Sequence, residues 1–204
     1  ARHIMSGSPE RVETLIVGGG QAGLAVGYHL AKRDRPFVIT DANERIGDPW
    51  RRRWDSLRLF TQARYSSLPG APFPAPRWSY PTKDAVADYL ETYADRFELP
   101  VRTGVRVDSI SKSGERFIAT CGTCRVEADY VVVATGAYST PRLPGFSAEL
   151  DPATVQLHSS EYRNPSQLQP GTVVVIGAGN SGAEIALEVS TTHPMWLSGR
   201  DTGH

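Results

Sequence analysis

The sequence predicts an α/β protein built on a doubly wound parallel β-sheet, and two observations support this fold class. A short apolar run that opens into a glycine turn and a helix-forming stretch occurs twice, at 15–24 and at 172–183. A further apolar run follows each of these stretches, so each copy is typical of a strand–helix–strand unit with parallel strands. We therefore expect a Rossmann-like sheet, an antiparallel β-meander between the copies, and the start of a second Rossmann unit.

The first glycine turn has the G-x-G-x-x-G spacing of dinucleotide-binding proteins. Gly18 permits a sharp turn, Gly20 lets the backbone approach a pyrophosphate, and Gly23 lets the helix pack closely on the strand. The phosphates are then expected on free N–H groups near Gln21 and Ala22, where the helix dipole favours negative charge. A glycine-rich turn without a ligand is the alternative interpretation of this motif taken alone.

The second apolar run of the first copy ends in Asp41, 23 residues after Gly18. This is close to the offset of about 20 residues at which an acid meets ribose hydroxyls. Its position favours a nucleotide site over an empty turn. The intervening helix, expected from about 20 to 32, is predicted to carry on one face Ala22, Val26 and Leu30.

The second glycine turn repeats the spacing of the first, and its helix begins with two polar residues. The residues expected to bind a nucleotide there are Gly177, Gly179, Asn180, Ser181 and Gly182.

Arg200 follows Gly177 by the same 23 residues that separate Asp41 from Gly18. A cation at that position suits the 2′-phosphate of NADP, whereas a carboxylate suits a ribose with free hydroxyls. We therefore expect FAD in the first site and NADPH in the second. If Asp201 rather than Arg200 faces the ribose, NADH would fit instead.

The composition indicates a small-molecule partner. The 22 basic and 22 acidic residues balance, so no overall charge favours nucleic acid or an anionic membrane. No apolar run approaches the roughly 20 residues that span a bilayer, and the N-terminus lacks the apolar region of a secretion signal. We expect a cytoplasmic location. Residues 1–10, in which four residues precede Met5, are expected to be an expression remnant or disordered N-terminus.

The stretch from 42 to 81 has no regular periodicity, and long irregular excursions inside compact domains are usually functional or disordered. Its three tryptophans favour an ordered segment. The basic run 51–53 is predicted to be a solvated face, with phosphate neutralisation as the alternative. Thr82 is then expected to cap a helix that runs through Phe97 and carries on one face Val86, Leu90, Tyr93 and Phe97.

Alternating segments at 101–110, 115–120 and 125–127 predict the antiparallel meander, and the apolar run 129–134 is typical of a strand buried on both faces. Cys121 and Cys124 flank a Gly-Thr pair that suits a hairpin turn. A redox-active dithiol would have its first cysteine at a helix N-terminus, so a structural role in a hairpin turn is favoured over a redox role for this pair. No metal site is expected, because zinc would need a second pair of ligands.

Together these motifs resemble the class B flavin-dependent monooxygenases, which include flavin-containing monooxygenases, Baeyer–Villiger enzymes and plant auxin-forming monooxygenases. The resemblance covers the chain from about Glu13 onward. Thioredoxin-reductase-like proteins share the paired glycine turns but lack the aromatic and basic run 50–59. Besides both glycine turns, the resemblance rests on segments 47–50 (GDPW), 54–59 (WDSLRL), 80–83 (YPTK), 134–136 (ATG) and 158–162 (HSSEY).

The resemblance implies further contacts with FAD. Trp50 and its loop would lie along the ribityl chain and isoalloxazine, and Val107 would offer backbone contacts to the adenine. Thr135 and Gly136 would mark the crossover between the FAD and NADPH domains. The expected domains are 11–145 for FAD, 146–171 as a linker, and 172–204 as the first unit of an incomplete NADPH domain.

The chain departs from the family in three respects. His158 and Tyr162 match only the H-x-x-x-Y part of a linker signature that couples the domains, because eleven residues rather than five separate Phe146 from His158; simple packing is the alternative role. Phe60 stands where many N- and S-oxygenating members carry an asparagine, which argues against that subtype. Members also continue beyond His204 for roughly as long again, a two-domain length, so we expect a fragment that holds FAD weakly or not at all.

The resemblance implies a monooxygenase in which the cofactor carries the chemistry. NADPH would reduce FAD by hydride transfer, and a flavin C4a-(hydro)peroxide formed with O2 would oxygenate a small organic substrate. No catalytic side chain is predicted. Two alternatives remain open: a flavin-linked disulfide reductase that uses Cys121 and Cys124, and a non-catalytic nucleotide-binding or redox-sensing module.

Overall fold

The computed structural model describes residues 10–137 and 140–200, which form two compact units. The first unit comprises 10–51 and 60–137, and the second comprises 52–59 and 140–200. The expectations for residues 1–9 and for Asp201 lie outside the described residues. Segment 52–59 differs from its predicted domain, since the Asp55 N–H donates to the Arg163 carbonyl at 2.7 Å within the second unit.

The first unit is built on a six-stranded sheet with a parallel half and an antiparallel half. In spatial order its strands are β3 (Val101–Arg102), β2 (Phe37–Thr40), β1 (Glu10–Val17), β6 (Cys124–Val133), β5 (Arg116–Cys121) and β4 (Ser109–Ser113). Strand β1 lies parallel to β2 and β6, β2 lies parallel to β3, and β4, β5 and β6 form the antiparallel meander. The predicted fold class is therefore confirmed.

Strand β6 joins the two halves of this sheet. The predicted segments 125–127 and 129–134 are one continuous strand, which pairs antiparallel with β5 and parallel with β1. Burial of 129–134 on both faces is wrong, because Tyr130 is 59% and Val133 67% exposed. Apolar composition identifies a strand, but burial depends on what packs against each face. The predicted segment 101–110 also divides, since Val101 and Arg102 pair with β2 instead.

Helix α1 (Gln21–Ala31) buries two glycines and a leucine rather than the predicted face. Its buried residues are Gly23, Leu24 and Gly27, while Ala22 is exposed. A Cβ at Gly27 would lie 2.9 Å from Cδ1 of Ile39 on β2, so a side chain there would require the Ile39 side chain to shift. Apolar periodicity misses such a face because glycine carries no hydrophobic signal.

Helix α3 (Lys83–Arg96) confirms its predicted cap and buried face. The Thr82 hydroxyl accepts a hydrogen bond from the Ala85 N–H at 3.2 Å, and Val86, Leu90 and Tyr93 are buried. Its tyrosines anchor the irregular segment. Tyr93 donates to the Pro69 carbonyl at 2.7 Å.

In the second unit, β7 (Val173–Ile176) and β8 (Met195–Ser198) are parallel strands joined through helix α4 (Asn180–Val189). Single 3₁₀ turns at Gly145–Glu149 and Pro165–Gln167 interrupt the preceding linker. Across residues 10–137 and 140–200, no helix combines the length and apolar character needed to cross a membrane.

Candidate nucleotide-binding sites

The first glycine turn connects β1 to α1, and two of its glycines are required by packing. The Gly18 N–H donates to the Thr40 carbonyl at 2.8 Å, and Gly18 has a φ of +113°, which favours glycine. A Cβ at Gly18 would clash with the Ala134 carbonyl, and a Cβ at Gly23 would clash with the carbonyl of Gly18. These two residues therefore hold the turn closed against the sheet.

Gly20 has a different environment. No atom lies within 4 Å of the position that its Cβ would occupy, and its φ of −84° is ordinary. The first helical hydrogen bond runs from the Leu24 N–H to the Gly20 carbonyl at 2.9 Å, so the N–H groups of Gln21 and Ala22 precede it. No acidic residue occupies the first turn of α1. An open approach, unused N–H groups and the helix dipole together suit a phosphate.

Asp41 lies at the end of β2 beside this turn, where the sequence predicts it, and is buried. Its Oδ2 accepts a hydrogen bond from the Gly19 N–H at 2.7 Å. Its Oδ1 accepts from the backbone N–H of Asn43 at 2.8 Å and from the Asn43 side-chain amide at 2.7 Å. Asp41 therefore orders the glycine turn, and its contact with a ribose stays a prediction. Sequence reasoning missed Asn43, although the D-x-N pattern is typical of an Asx turn.

The segment after β6 lies next to the glycine turn. The Ala134 N–H donates to the Val17 carbonyl at 2.8 Å, and the Thr135 nitrogen is 3.1 Å from where a Gly18 Cβ would stand. Gly136 has a φ of +74°, which turns the chain after the strand. The ends of three neighbouring parallel strands thus bring together the glycine turn, Asp41, Thr135 and Gly136, as nucleotide sites in such sheets require.

Val107 and Trp50 occupy other parts of the first unit. The Val107 side chain packs against the hydrophobic cluster that contains Leu15 and Val17. Trp50 lies half-buried in the short helix α2 (Asp48–Arg51), which follows Gly47. Gly47 has a φ of +86°, and its Cβ would lie 2.6 Å from the Ala87 carbonyl on α3. Packing therefore sets the position of Trp50, and its contact with flavin stays a prediction.

Arg51, in the predicted basic run, is a structural residue rather than a solvated or phosphate-binding one. Its guanidinium lies 3.0 Å from Asp88 and 3.1 Å from Glu91, both on α3. Its Nη1 also donates to the Ile46 carbonyl at 2.6 Å. Lys83 completes the link, since its ammonium donates to the Arg51 carbonyl at 2.9 Å. These contacts join α2 to α3.

The second glycine turn repeats the geometry of the first within its own unit. Gly177 has a φ of +110°, its N–H donates to the Ser198 carbonyl at 2.7 Å, and a Cβ at Gly182 would clash with the Gly177 carbonyl. Around Gly179 no atom lies within 4 Å of the Cβ position. The N–H groups of Asn180 and Ser181 precede the first bond of α4, from the Ala183 N–H to the Gly179 carbonyl at 2.9 Å.

The strand register corrects the predicted equivalence of Arg200 and Asp41. Val17 pairs with Thr40 in the first unit, and Ile176 pairs with Ser198 in the second. The residue after Ser198 is Gly199, which therefore takes the place of Asp41, while exposed Arg200 lies one residue further on. The count of 23 residues fails because the connection between strands is one residue shorter in the second unit.

Gly199 leaves this position without a carboxylate. In the first unit Asp41 bonds the Gly19 N–H, whereas in the second a Cβ at Gly199 would lie 2.5 Å from the corresponding Ala178 nitrogen. The two sites thus differ in charge where a ribose would bind. An acid stands in one, and a glycine followed by a cation stands in the other.

Cys121 and Cys124 form a direct cross-strand pair at the β5–β6 turn, which confirms the predicted hairpin. Neither cysteine is in a disulfide bond, and in the described part of the chain neither lies at a helix N-terminus. Burial, and then proximity to Cys124 and Asp108, raises the pKa of the Cys121 thiol. A redox nucleophile needs the opposite shift, so this environment disfavours the disulfide-reductase alternative.

The two linker residues His158 and Tyr162 take packing positions within the second unit. Tyr162 is buried, and its hydroxyl donates to Glu188 of α4 at 2.8 Å. Burial, the hydrogen bond to Glu188 and the Glu188 charge raise the pKa of Tyr162. The Tyr162 N–H donates to the His158 carbonyl at 3.0 Å, and His158 Nδ1 lies 2.8 Å from the Ser160 hydroxyl. Tyr162 thus fixes the linker to α4, and His158 contacts only the linker itself.

Known proteins resemble this chain over most of its length. An oxidoreductase of Geobacillus kaustophilus described as CzcO-like is 48% identical over 187 residues, which cover 92% of this chain and 54% of that protein. Indole-3-pyruvate monooxygenase YUCCA1 of Oryza sativa subsp. japonica is 35% identical over 194 residues, covering 88% and 47% of the two chains. The chain therefore spans about half the length of these curated relatives.

A solved structure shows the same similarity. The flavin-containing monooxygenase from Stenotrophomonas maltophilia matches with a TM-score of 0.89 at 36% identity, over 96% of this chain and 59% of that one. These relatives confirm the resemblance to flavin monooxygenases. A family profile described as pyridine nucleotide-disulphide oxidoreductase matches residues 15–194. With most of its residues matched, the chain belongs to the pyridine nucleotide-disulphide oxidoreductase family.

Proposed function

We propose that the full-length protein is a flavin-dependent monooxygenase that binds FAD and NADPH and oxygenates a small organic substrate with O2. The observation that carries this proposal is one glycine-turn geometry present in two units, with an acid at the ribose position of one and none in the other. The flavin and indole-3-pyruvate monooxygenases among the relatives support the same reaction class. A cytoplasmic location is part of the proposal.

The residues of the first unit suit FAD. The space beside Gly20 admits a pyrophosphate, and the N–H groups of Gln21 and Ala22 would donate to it. Asp41 Oδ2 accepts one hydrogen bond within the protein and retains a second lone pair, so this oxygen can also accept from a ribose hydroxyl. When bound, FAD would supply the redox and oxygen chemistry, and the flavin mechanism expected from the resemblance belongs to this proposal.

The residues of the second unit suit NADPH better than NADH. Gly179 leaves space for the pyrophosphate, and Asn180 and Ser181 present N–H groups. Gly199 removes the carboxylate that would repel a 2′-phosphate, and Arg200 supplies a cation one residue later.

The test begins with the absorbance spectrum of the full-length protein after incubation with FAD and desalting. Retained flavin bands are the expected result and would show that the protein binds FAD. The same protein should then consume NADPH and release an oxygenated product from a broad substrate panel. NADPH consumption that yields hydrogen peroxide with no oxygenated product from any substrate would contradict the monooxygenase assignment.

A further inference from the structure

We propose that a cavity in the irregular segment of the first unit binds small aromatic carboxylates, apart from both nucleotide sites. The cavity has a volume of about 420 Å³, which lies at the small end of the range for ligand pockets. The lining residues that matter here are Ala63, Arg64, Tyr65, Ser67, Phe73 and Arg77. We call it the Arg64 pocket, and its assignment does not depend on flavin chemistry.

The floor of the Arg64 pocket is held by α3. The buried ring of Phe73 lies 4.7 Å from the ring of Tyr89, centroid to centroid. The Tyr89 hydroxyl donates to the Ala71 carbonyl at 2.7 Å and accepts from the Leu68 N–H at 2.6 Å. The Phe73 N–H donates to the Ser67 hydroxyl at 3.0 Å. An irregular loop with these anchors provides a preformed apolar surface.

Two backbone hydrogen bonds bring the arginines together. The Arg64 N–H donates to the Arg77 carbonyl at 3.2 Å, and the Ala63 N–H donates to the Ser79 carbonyl at 2.9 Å. Residues 63–64 and 77–79 therefore lie side by side. Both arginines line the same cavity, although thirteen positions separate them in sequence.

Aromatic rings orient the Arg64 guanidinium. Its central carbon lies 4.2 Å from the ring centroid of Trp78 and 4.3 Å from that of Tyr65. Its Nη2 donates one hydrogen bond to the Tyr65 hydroxyl. Stacking of this kind fixes the plane of the guanidinium. Arginine has five N–H donors in a planar fork, so others remain for a bidentate contact with a carboxylate.

The charge of this region favours an anion. Segment 56–83 contains no aspartate or glutamate. Among the described residues, neither Arg64 nor Arg77 forms an ion pair with a carboxylate. Two cations at the rim of an apolar cavity match a ligand with one anionic group and an apolar body.

The exposed aromatic side chains indicate that this body is a planar ring. Tyr65 and Trp78 remain 65% and 61% exposed beside the arginines. Aromatic rings stack favourably on such side chains. The small volume limits the ligand to one or two fused rings.

The experiment uses 1-naphthoate as the probe and follows the indole N–H signal of Trp78 by NMR, assigned with Trp78→Phe. With 1-naphthoate we expect saturable shifts of the Trp78 signal. The neutral 1-naphthamide should bind at least about tenfold more weakly. Arg77→Gln should weaken 1-naphthoate binding about tenfold, because it removes one charged donor. Arg125→Gln, which removes an exposed arginine on β6 outside the pocket, should leave binding unchanged.

Three results would overturn the proposal. These are no saturable shift of Trp78 at millimolar 1-naphthoate, equal effects of inorganic phosphate and 1-naphthoate, and equal losses in Arg77→Gln and Arg125→Gln. The amide spectra of the variants report whether each is folded. Addition of FAD should leave the Trp78 titration unchanged, so failure of this proposal and failure of the proposed flavin site are separate outcomes.

Discussion

At the scale of single residues, glycines of one motif have different physical roles. Gly18 and Gly23 are required because a Cβ would meet backbone atoms, whereas Gly20 faces open space. The first two maintain the fold of the turn, and the third keeps room for a ligand. Their substitutions should therefore have different effects on stability and on binding.

Gly23→Ala should lower the free energy of unfolding by about 2 kcal/mol or more, because the new methyl group overlaps the Gly18 carbonyl. Gly20→Ala should cost less than about 1 kcal/mol, since it meets no atom and changes only the helix N-cap. Urea unfolding of both variants beside the unsubstituted chain measures this difference. Equal stability losses would show that the crowding at Gly23 is relieved by a small backbone shift.

Arg200 tests the assignment of the second nucleotide. Arg200→Ala should weaken NADPH binding about tenfold, because a charge-assisted contact with the 2′-phosphate is lost. NADH lacks that phosphate, so its affinity should not change. Titrations of both nucleotides followed by fluorescence measure the two effects, and an equal loss for NADH and NADPH would assign Arg200 to another contact.

At the scale of elements, α3 orders the irregular segment through tyrosine hydroxyls. Tyr93 is buried and donates to the Pro69 carbonyl, and Tyr89 bonds the backbone at 68 and 71. Two tyrosines of one helix thus satisfy three backbone groups of a loop that has no regular structure. The same contacts make the segment sensitive to alkaline pH.

Burial raises the pKa of Tyr93 to about 12. The unfolded chain loses this proton near pH 10, while the folded protein keeps it, so stability falls as pH rises from about 10 to 12. At pH 11 the contribution of Tyr93 to this loss should be about 1 kcal/mol. Urea unfolding at pH 9 and pH 11 measures the loss, which should be smaller in Tyr93→Phe. Tyr130→Phe, on an exposed face, serves as the control and should retain the full pH dependence.

At the scale of the whole molecule, the chain contains the same glycine-turn geometry twice. Gly18 and Gly177 have φ values of +113° and +110°, and Gly20 and Gly179 both face open space. The two units differ at the residue directly after the second strand, where Gly199 stands in place of Asp41. Each site should therefore respond separately to its own glycine.

Gly20→Ala should weaken FAD binding and leave NADPH binding unchanged, and Gly179→Ala should have the reverse effect. The reason is that each added methyl group occupies the approach to one pyrophosphate only. Each ligand is titrated against both variants, with far-UV circular dichroism as the check on folding. If either variant lost both ligands equally, the two sites could not be assigned to separate units.

Local chemistry is what made much of the molecule predictable from its sequence. Glycine spacing identified both turns, Thr82 identified the start of α3, and the Gly-Thr pair between Cys121 and Cys124 identified the β5–β6 hairpin. Each of these signals acts within a few residues, through φ preference or capping, and can therefore be recognised without knowledge of the rest of the chain. The fold class and the placement of Asp41 beside the first turn follow from such signals.

Only the tertiary structure decided the features that depend on distant partners. Strand register makes Gly199, rather than Arg200, the structural equivalent of Asp41, because register is set by hydrogen bonds and not by residue count. The buried face of α1 consists of Gly23, Leu24 and Gly27, because the helix lies close to the sheet. Arg51 became structural through carboxylates on α3, and Arg64 and Arg77 came together through a backbone pairing within the loop. The sequence by itself thus determined which local elements form, and long-range packing decided what their side chains meet.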